Sequence, residues 1–217
     1  MDVIVSTEAV DFQECETLVT GFFSDERPLR GSTGWIDWRF NGTISSALIQ
    51  ERLTGDWKET TLIPSQGRVG AATVLLVGLG RQKDYSYPRL RELCPYLFET
   101  LKRLKTSSVC LSFPGEDAYN VNCGKVAEVL LEGIIDRAVV DGSSGGEKWI
   151  RDLRLFFVED EDRLGELLLG VQTAKTILQG RVEMRILAPF EESRTEKENR
   201  GEQKHFDSDS RPKTSDS

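Results

Sequence analysis

The stretch that most limits how this chain folds is a run of four apolar residues, 74–77, followed directly by Gly78-Leu79-Gly80. A strand with one face in water alternates apolar and polar side chains, whereas an unbroken apolar run is typical of a strand buried on both faces. The glycines favour a turn at the end of that strand. The run therefore predicts a sheet that helices cover on both sides.

Further segments that are short, apolar and rich in β-branched or aromatic residues also have the character of strands. They lie at 3–5, 18–23, 60–63, 109–113, 153–158 and 184–187. Helical spacing of apolar residues predicts helices over 90–104, around 126–134 and from about 160 to 178. Pro88 suits the first turn of the first helix, whereas Pro95 predicts a kink or a later start. This alternation predicts an α/β fold with a mixed, mostly parallel sheet between helical layers.

The last part of the chain has a different composition. Residues 191–217 contain eight acidic and six basic residues, and Phe206 is their only large apolar side chain. Such a segment buries too little surface to offset the entropy lost on ordering. The sequence therefore predicts one folded domain at 1–190 and a disordered polar tail at 191–217.

The charge balance excludes several classes of function. The net charge is −8 and the pI is about 4.9, whereas binding to nucleic acid or to an anionic membrane requires a basic surface. We see neither a signal peptide at the start nor an apolar stretch of the roughly 20 residues that a membrane helix needs. We expect a cytoplasmic protein that binds neither nucleic acid nor membrane.

Cysteine and histidine usage narrows the chemistry further. Cys15, Cys94, Cys110 and Cys123 are scattered without the clustering of a metal site, so we expect buried, reduced thiols. The single histidine, His205, lies in the predicted tail. The predicted domain therefore has no histidine for a Ser-His-Asp triad, a Cys-His pair or a His-rich metal site, and we expect no catalytic residue, no metal and no cofactor.

The segment at 25–42, DERPLRGSTGWIDWRFNG, is the densest in chemically distinctive residues. Its glycines predict a turn that runs into a short helix. We expect Trp35 and Trp38 to anchor this turn against the sheet. The arginines, Arg27, Arg30 and Arg39, are expected to pair with the neighbouring acids Asp25, Glu26 and Asp37. The alternative is a ligand loop, since glycines allow close approach of backbone to phosphate.

Two other glycine clusters and one acidic run carry weaker signals. Gly78-Leu79-Gly80 lies at a strand end, where α/β folds bind ligands, although a simple turn is the commoner use. The segment at 142–146 is interpreted as a flexible connector, since a strand rather than a helix is expected after it. The carboxylates at 159–162 are interpreted as a solvated helix cap rather than a cation site. If the chain holds a ligand, the candidate residues are Arg39, Asn41, Gly78 and Gly80.

An ordered series of short matches makes the chain similar to the amino-terminal domain of the leucyl aminopeptidase (cytosol aminopeptidase) family. The series covers most of residues 1 to about 180, which makes it more specific than any one motif. It runs through Pro28-Leu29, Gly31, Gly34, Asp37-Trp38, Gly42, Ile44-Ser45, Leu53-Thr54-Gly55, then 59–63, 74–80, the 90–104 helix and the 109–114 strand.

The resemblance implies a macro-like, three-layer α/β sandwich. In that family this domain packs against a larger domain that holds two metal ions, and it contributes to hexamer organisation. The catalytic Asn-Thr-Asp-Ala-Glu-Gly-Arg segment has no counterpart in this sequence, so no catalytic residue carries over. True macro domains bind ADP-ribose, but their glycine-rich phosphate loops and Asn-Ala-Ala-Asn stretch are not visible here.

Three functions follow as expectations. The first is a non-catalytic protein-interaction or regulatory module that binds a partner protein or self-associates. The second is a macro-like module that binds a nucleotide or ADP-ribose through its glycine-bearing strand ends. The third is an accessory part of a metal-dependent aminopeptidase that acts with a separate catalytic chain.

Overall fold

A computed structural model describes residues 1–141 and 146–188 of the chain. The predicted tail at 191–217 and all but the last residue of the glycine-rich connector at 142–146 lie outside the described residues. Seven strands form one sheet: β1 (Asp2–Ser6), β2 (Cys15–Phe22), β3 (Thr60–Pro64), β4 (Ala71–Gly78), β5 (Ser108–Ser112), β6 (Arg154–Val158) and β7 (Arg185–Leu187). All seven predicted strands are confirmed.

The strand order is β3-β4-β2-β5-β6-β1-β7. Every neighbouring pair is parallel except β3 with β4, which is antiparallel. The mixed, mostly parallel sheet is therefore confirmed. The carboxyl ends of the six parallel strands meet at one edge, which is where ligand sites form in open α/β sheets.

Helices cover both faces of the sheet. They are α1 (Gly31–Arg39), α2 (Thr43–Ile49), α3 (Tyr87–Leu104), α4 (Cys123–Val140), α5 (Gly146–Asp152) and α6 (Leu164–Ile177). One core cluster joins α3, α4 and α6 to one face, and a second joins α1 and α2 to the other. The run at 74–77 divides between them, with Val74 and Leu76 in the second cluster and Leu75 and Val77 in the first. This is the two-sided burial that the absence of alternation predicted.

Three local expectations need correction. Helix α3 begins at Tyr87 and includes Pro95, so a start delayed by this proline is wrong. Helix α2 was not predicted, and a helix, α5, precedes β6 where none was expected. Within α5, Trp149 packs edge-on against Phe98 and donates an indole hydrogen bond of 2.8 Å to the Thr106 carbonyl. The tertiary contacts thus stabilise a helix too short to stand alone.

Candidate functional site

A cleft of about 600 Å³ lies at the carboxyl edge of the sheet. Its floor comes from the ends of β2, β5 and β6, and its walls come from the loop at 7–12, the start of α1 and the segment at 113–116. This volume is within the range of ligand sites in proteins, and its place matches the usual crevice of α/β folds. The topology therefore brings polar and charged side chains from separate segments together at this edge.

Hydroxyl contacts fix the start of α1 against the floor. The Ser32 and Ser112 hydroxyls lie 2.6 Å apart, which ties the first turn of the helix to the end of β5. Thr33 donates a 2.8 Å hydrogen bond to the Gly21 carbonyl of β2 and also meets the Thr20 hydroxyl. The wall of the cleft is consequently held rigidly with respect to the sheet.

A buried carboxylate, Glu26, lines the cleft. It accepts hydrogen bonds from the Tyr119 hydroxyl at 2.8 Å and from the Gln82 side-chain amide at 2.9 Å. Desolvation raises the pKa of Tyr119, and the hydrogen bond to Glu26 raises it further. The phenol therefore stays protonated at neutral pH and acts as a donor that positions the carboxylate.

Glu159 and Arg163 also line the cleft. Burial raises the pKa of Glu159 even though the Arg163 guanidinium lies 3.6 Å from the carboxylate and acts in the other direction. Arg163 also donates to the Gly115 carbonyl, so it braces the loop after β5. The two residues hold the cleft wall together while leaving a carboxylate in a poorly solvated position.

Cys123 lines the cleft at the start of α4, but its surroundings suppress thiolate formation. Burial, together with a 3.1 Å hydrogen bond from its Sγ to Glu166, raises the pKa of the thiol to about 12. A thiol must lose its proton to act as a nucleophile. Among the cysteines, Cys94, Cys110 and Cys123 are buried and all four are free, as expected.

Exposed aromatic side chains surround the opening of the cleft. Phe12, Trp35 and Trp38 are 56%, 61% and 64% exposed, and the two indoles meet edge-to-face with centroids 6.3 Å apart. The Arg39 guanidinium lies 4.7 Å from the centroid of Phe12 and 5.0 Å from that of Trp38, and its Nε is 2.7 Å from Asp11. We call Phe12, Trp35, Trp38 and Arg39 the aromatic mouth.

The aromatic mouth overturns the expectation that the two tryptophans anchor this segment. The buried side of α1 is formed instead by residues at three- and four-residue spacing, namely Thr33, Ile36, Asp37 and Phe40. A helix presents such residues on one face, so Trp35 and Trp38 fall on another. This spacing is visible in the sequence and would have found the exposed face.

The expected pairing of arginines with their nearest acids is also wrong for Arg27 and Arg39. Arg39 pairs with Asp11, and Arg27 donates to the backbone carbonyls of Phe23 and Glu26. Asp37 accepts hydrogen bonds from the backbone N–H groups of Ile44 at 2.7 Å and Ser45 at 3.1 Å, so it caps helix α2. Asp37 and Arg39 are two residues apart on α1 and therefore do not face each other. Arg27 precedes the helix and reaches backbone carbonyls instead.

Of the predicted ligand candidates, only Arg39 borders the cleft. Asn41 is exposed just after α1, in a left-handed conformation with φ of 54°. Gly78 and Gly80 end β4 beneath the segment at 55–57. A Cβ on Gly78 would lie 2.0 Å from the Asp56 carbonyl oxygen, and the Gly80 N–H donates to the Gly55 carbonyl at 2.9 Å. That strand end is closed by backbone.

Asp11, Glu116 and Tyr119 line the cleft, although no sequence motif marks them as site residues. They come from separate segments, and only the folded topology brings them together. Among residues 1–141 and 146–188, no group of His, Cys, Asp and Glu side chains is arranged to hold a metal ion. In the same part of the chain, no helix combines the length and apolarity needed to cross a membrane.

Comparison with solved structures bears on the fold. The macro domain of ganglioside induced differentiation associated protein 2 aligns with a TM-score of 0.58 at 12% identity, over 83% of this chain and 85% of that one. A Trypanosoma brucei macrodomain in complex with ADP-ribose aligns at 0.57 and 15% identity, over 78% and 68%. A tomato leucine aminopeptidase mutant aligns at 0.55 and 15% identity, over 83% and 37%. The macro-like fold is therefore confirmed.

Curated sequences similar to this chain include probable cytosol aminopeptidases. A probable cytosol aminopeptidase of Alkaliphilus oremlandii is 24% identical over 84% of this chain and 37% of its own length. That of a Sulfurihydrogenibium species is 24% identical over 62% of this chain and 26% of its own length. The chain thus spans about a quarter to a third of the curated relatives it matches.

A family model provides the assignment. The N-terminal domain of the cytosol aminopeptidase family matches residues 19–140, which is more than half of the chain. The match includes part of β2, all of β3 to β5, every residue of the aromatic mouth except Phe12, and most of the cleft. The chain therefore belongs to the cytosol aminopeptidase family, through that family's N-terminal domain.

Proposed function

We propose that this chain is a non-catalytic module of the cytosol aminopeptidase family that acts by binding other proteins, through the aromatic mouth. The observation that carries the proposal is the pair of tryptophans more than 60% exposed on a rigid helix. Tryptophan and arginine are the residues that most often dominate binding energy at protein interfaces. Contiguous exposed apolar side chains with polar residues around them mark interaction sites on soluble proteins.

The non-catalytic part of the proposal rests on the chemistry of the cleft. A hydrolase needs a nucleophile with its base, or carboxylates placed to hold activating metal ions. In the described part of the chain, the raised pKa of Cys123 keeps the cleft thiol protonated. The carboxylates of the cleft either contact Arg39, Arg163, Tyr119 and Gln82 or lie at the exposed rim. We therefore expect no hydrolysis of leucine p-nitroanilide with added zinc, manganese or magnesium.

Site-specific photo-crosslinking in the source cells tests the interaction function. A benzophenone amino acid replaces Trp35 or Trp38, and in a matched control it replaces Leu169, an exposed apolar residue on α6. We expect protein adducts, to another protein or to a second copy, from the mouth positions and not from Leu169. Equal adducts at all three positions, or none at the mouth, would remove the basis for the proposal.

A second candidate is binding of a nucleotide or ADP-ribose in the cleft. It is favoured by the position of the cleft at the strand ends and by Arg30, which lines it and forms no ion pair among the described residues. The aligned Trypanosoma brucei macrodomain is described in complex with ADP-ribose. Calorimetric titration of ADP-ribose decides this point: micromolar binding that Arg30→Ala abolishes would promote this function above the first.

A third candidate is an accessory role beside a separate catalytic aminopeptidase chain, in the cytoplasm. It is a special case of the interaction function, in which the crosslinked protein is the catalytic chain. Identification of the adducts by mass spectrometry tests it directly. Adducts that contain no aminopeptidase peptides would exclude this role for the mouth.

A further inference from the structure

The charges inside the cleft narrow the choice of partner. Three arginines line it, Arg30, Arg39 and Arg163, against twice as many carboxylates. The carboxylates are Glu8, Asp11, Glu26, Glu116, Glu159 and Asp160. A cleft with this excess has a negative potential, and low-dielectric walls focus such a potential into the opening.

The internal ion pairs do not remove the excess. Arg39 lies 2.7 Å from Asp11, and Arg163 lies 3.6 Å from Glu159. Among the described residues, the hydrogen-bond donors to the Glu26 carboxylate are the neutral Gln82 amide and Tyr119 hydroxyl. Glu8, Glu116 and Asp160 form no ion pair within the described part of the chain and are exposed at the rim. After internal pairing, one arginine therefore faces four carboxylates.

The aromatic mouth already holds one guanidinium. Arg39 lies within 5.0 Å of the ring centroids of both Phe12 and Trp38. This is the geometry of a cation–π contact, in which the negative face of an aromatic ring attracts a cation. Phe12 and Trp38 are nevertheless more than half exposed as residues. Arg39 thus shows that these rings can contact a guanidinium group. The same guanidinium is paired with the Asp11 carboxylate.

We propose that the cleft and its aromatic mouth dock an arginine-bearing, basic segment of a partner protein. The proposal rests on the interaction function above and names the chemistry of its partner. Guanidinium groups of the segment stack on Trp35 and Trp38, while Glu116 and Asp160 at the rim supply the opposite charge. An acidic segment would instead bring like charges together, which disfavours binding.

The direct test is fluorescence anisotropy with a labelled arginine–glycine repeat peptide at about 0.15 M salt. The control peptide has citrulline, which is uncharged and of nearly the same shape, in place of each arginine. We expect saturable binding of the arginine peptide and no binding of the citrulline peptide. Absence of binding by the arginine peptide, or equal binding of both, would overturn the proposal.

Two pairs of variants locate the binding. Glu116→Gln/Asp160→Asn removes two rim charges, and Glu51→Gln/Asp152→Asn removes two exposed charges outside the cleft. Both pairs change the net charge equally, so they separate local from overall attraction. We expect the first to weaken binding about tenfold and the second less than about twofold. Equal weakening by the two pairs would show non-specific attraction to an acidic protein and overturn the site.

The aromatic contribution is tested in the same assay with Trp35→Ala/Trp38→Ala, which we expect to weaken binding about tenfold or more. Unchanged affinity would remove the tryptophans from the site. The crosslinking experiment keeps the two proposals apart. If the arginine peptide fails to bind while the mouth still yields protein adducts, only the basic partner is wrong. If both fail, the interaction function fails with it.

Discussion

The two faces of helix α1 differ in burial, and the face with the larger side chains is the exposed one. Ile36 and Phe40 are 0% and 3% exposed and lie in the core cluster beneath the helix, whereas Trp35 and Trp38 point away from it. The tryptophans, which are the largest apolar side chains of the segment, are thus buried less than Ile36 and Phe40. Burial rather than size decides what a side chain contributes to stability. The face that carries Trp35 and Trp38 contributes little to the core and is therefore accessible to a binding partner.

The largest effect is expected on the buried face, with Phe40→Ala. Phe40 packs in the core cluster with Ile36 and Ile44, so its removal leaves a cavity as well as exposing apolar surface. Such truncations lower the free energy of unfolding by about 3 to 5 kcal/mol. Urea unfolding followed by circular dichroism measures it. A loss below about 1 kcal/mol would mean that the packing beneath α1 is not as described.

A smaller effect is expected for Asp37→Ala. The carboxylate caps α2 by accepting hydrogen bonds from the Ile44 and Ser45 backbone N–H groups. Loss of a cap costs about 1 kcal/mol, and a buried N–H left without a partner adds to this, so we expect about 2 to 3 kcal/mol. Asp37→Asn keeps one acceptor oxygen and serves as the control, with roughly half the loss. Equal stability of wild type and Asp37→Ala would contradict the capping role.

Arg39→Ala tests the border between the two faces. Its partner Asp11 has a side chain only 8% exposed, so removal of the guanidinium leaves a largely buried carboxylate without its counter-charge. We expect a loss of about 2 kcal/mol in free energy of unfolding, more than the 0 to 1 kcal/mol typical of surface ion pairs. Arg30→Ala, which removes an arginine without an ion pair in the described chain, is the matched control. If Arg39→Ala lowers the free energy of unfolding no more than Arg30→Ala does, the Arg39–Asp11 pair contributes no more than an ordinary surface ion pair.

The sequence allowed the sheet to be predicted better than the site. Strand β4 could be predicted because a strand buried on both faces has an unbroken apolar run. Helices α3, α4 and α6 could be predicted because their apolar residues recur at helical spacing. Helices α2 and α5 depend on Asp37 and on the Trp149–Phe98 contact, which are tertiary interactions. The cleft residues were missed for a related reason, since Asp11, Glu116 and Tyr119 are separated in sequence. Glycine content drew attention to Gly78 and Gly80, where backbone closes the strand end instead.

The central claim is that α1 keeps its tryptophans outside the stable core, and the Trp35→Ala/Trp38→Ala double variant measures this most directly. We expect the smallest effect of the series, a loss of roughly 1 to 1.5 kcal/mol in free energy of unfolding. The exposed rings bury little, and alanine's higher helix propensity offsets part of the loss. Urea unfolding of this variant beside Phe40→Ala gives the comparison on one scale. The account predicts that two lost indoles cost less than one lost phenyl ring. A loss from the double variant equal to or greater than that of Phe40→Ala would show that the tryptophans anchor the segment after all.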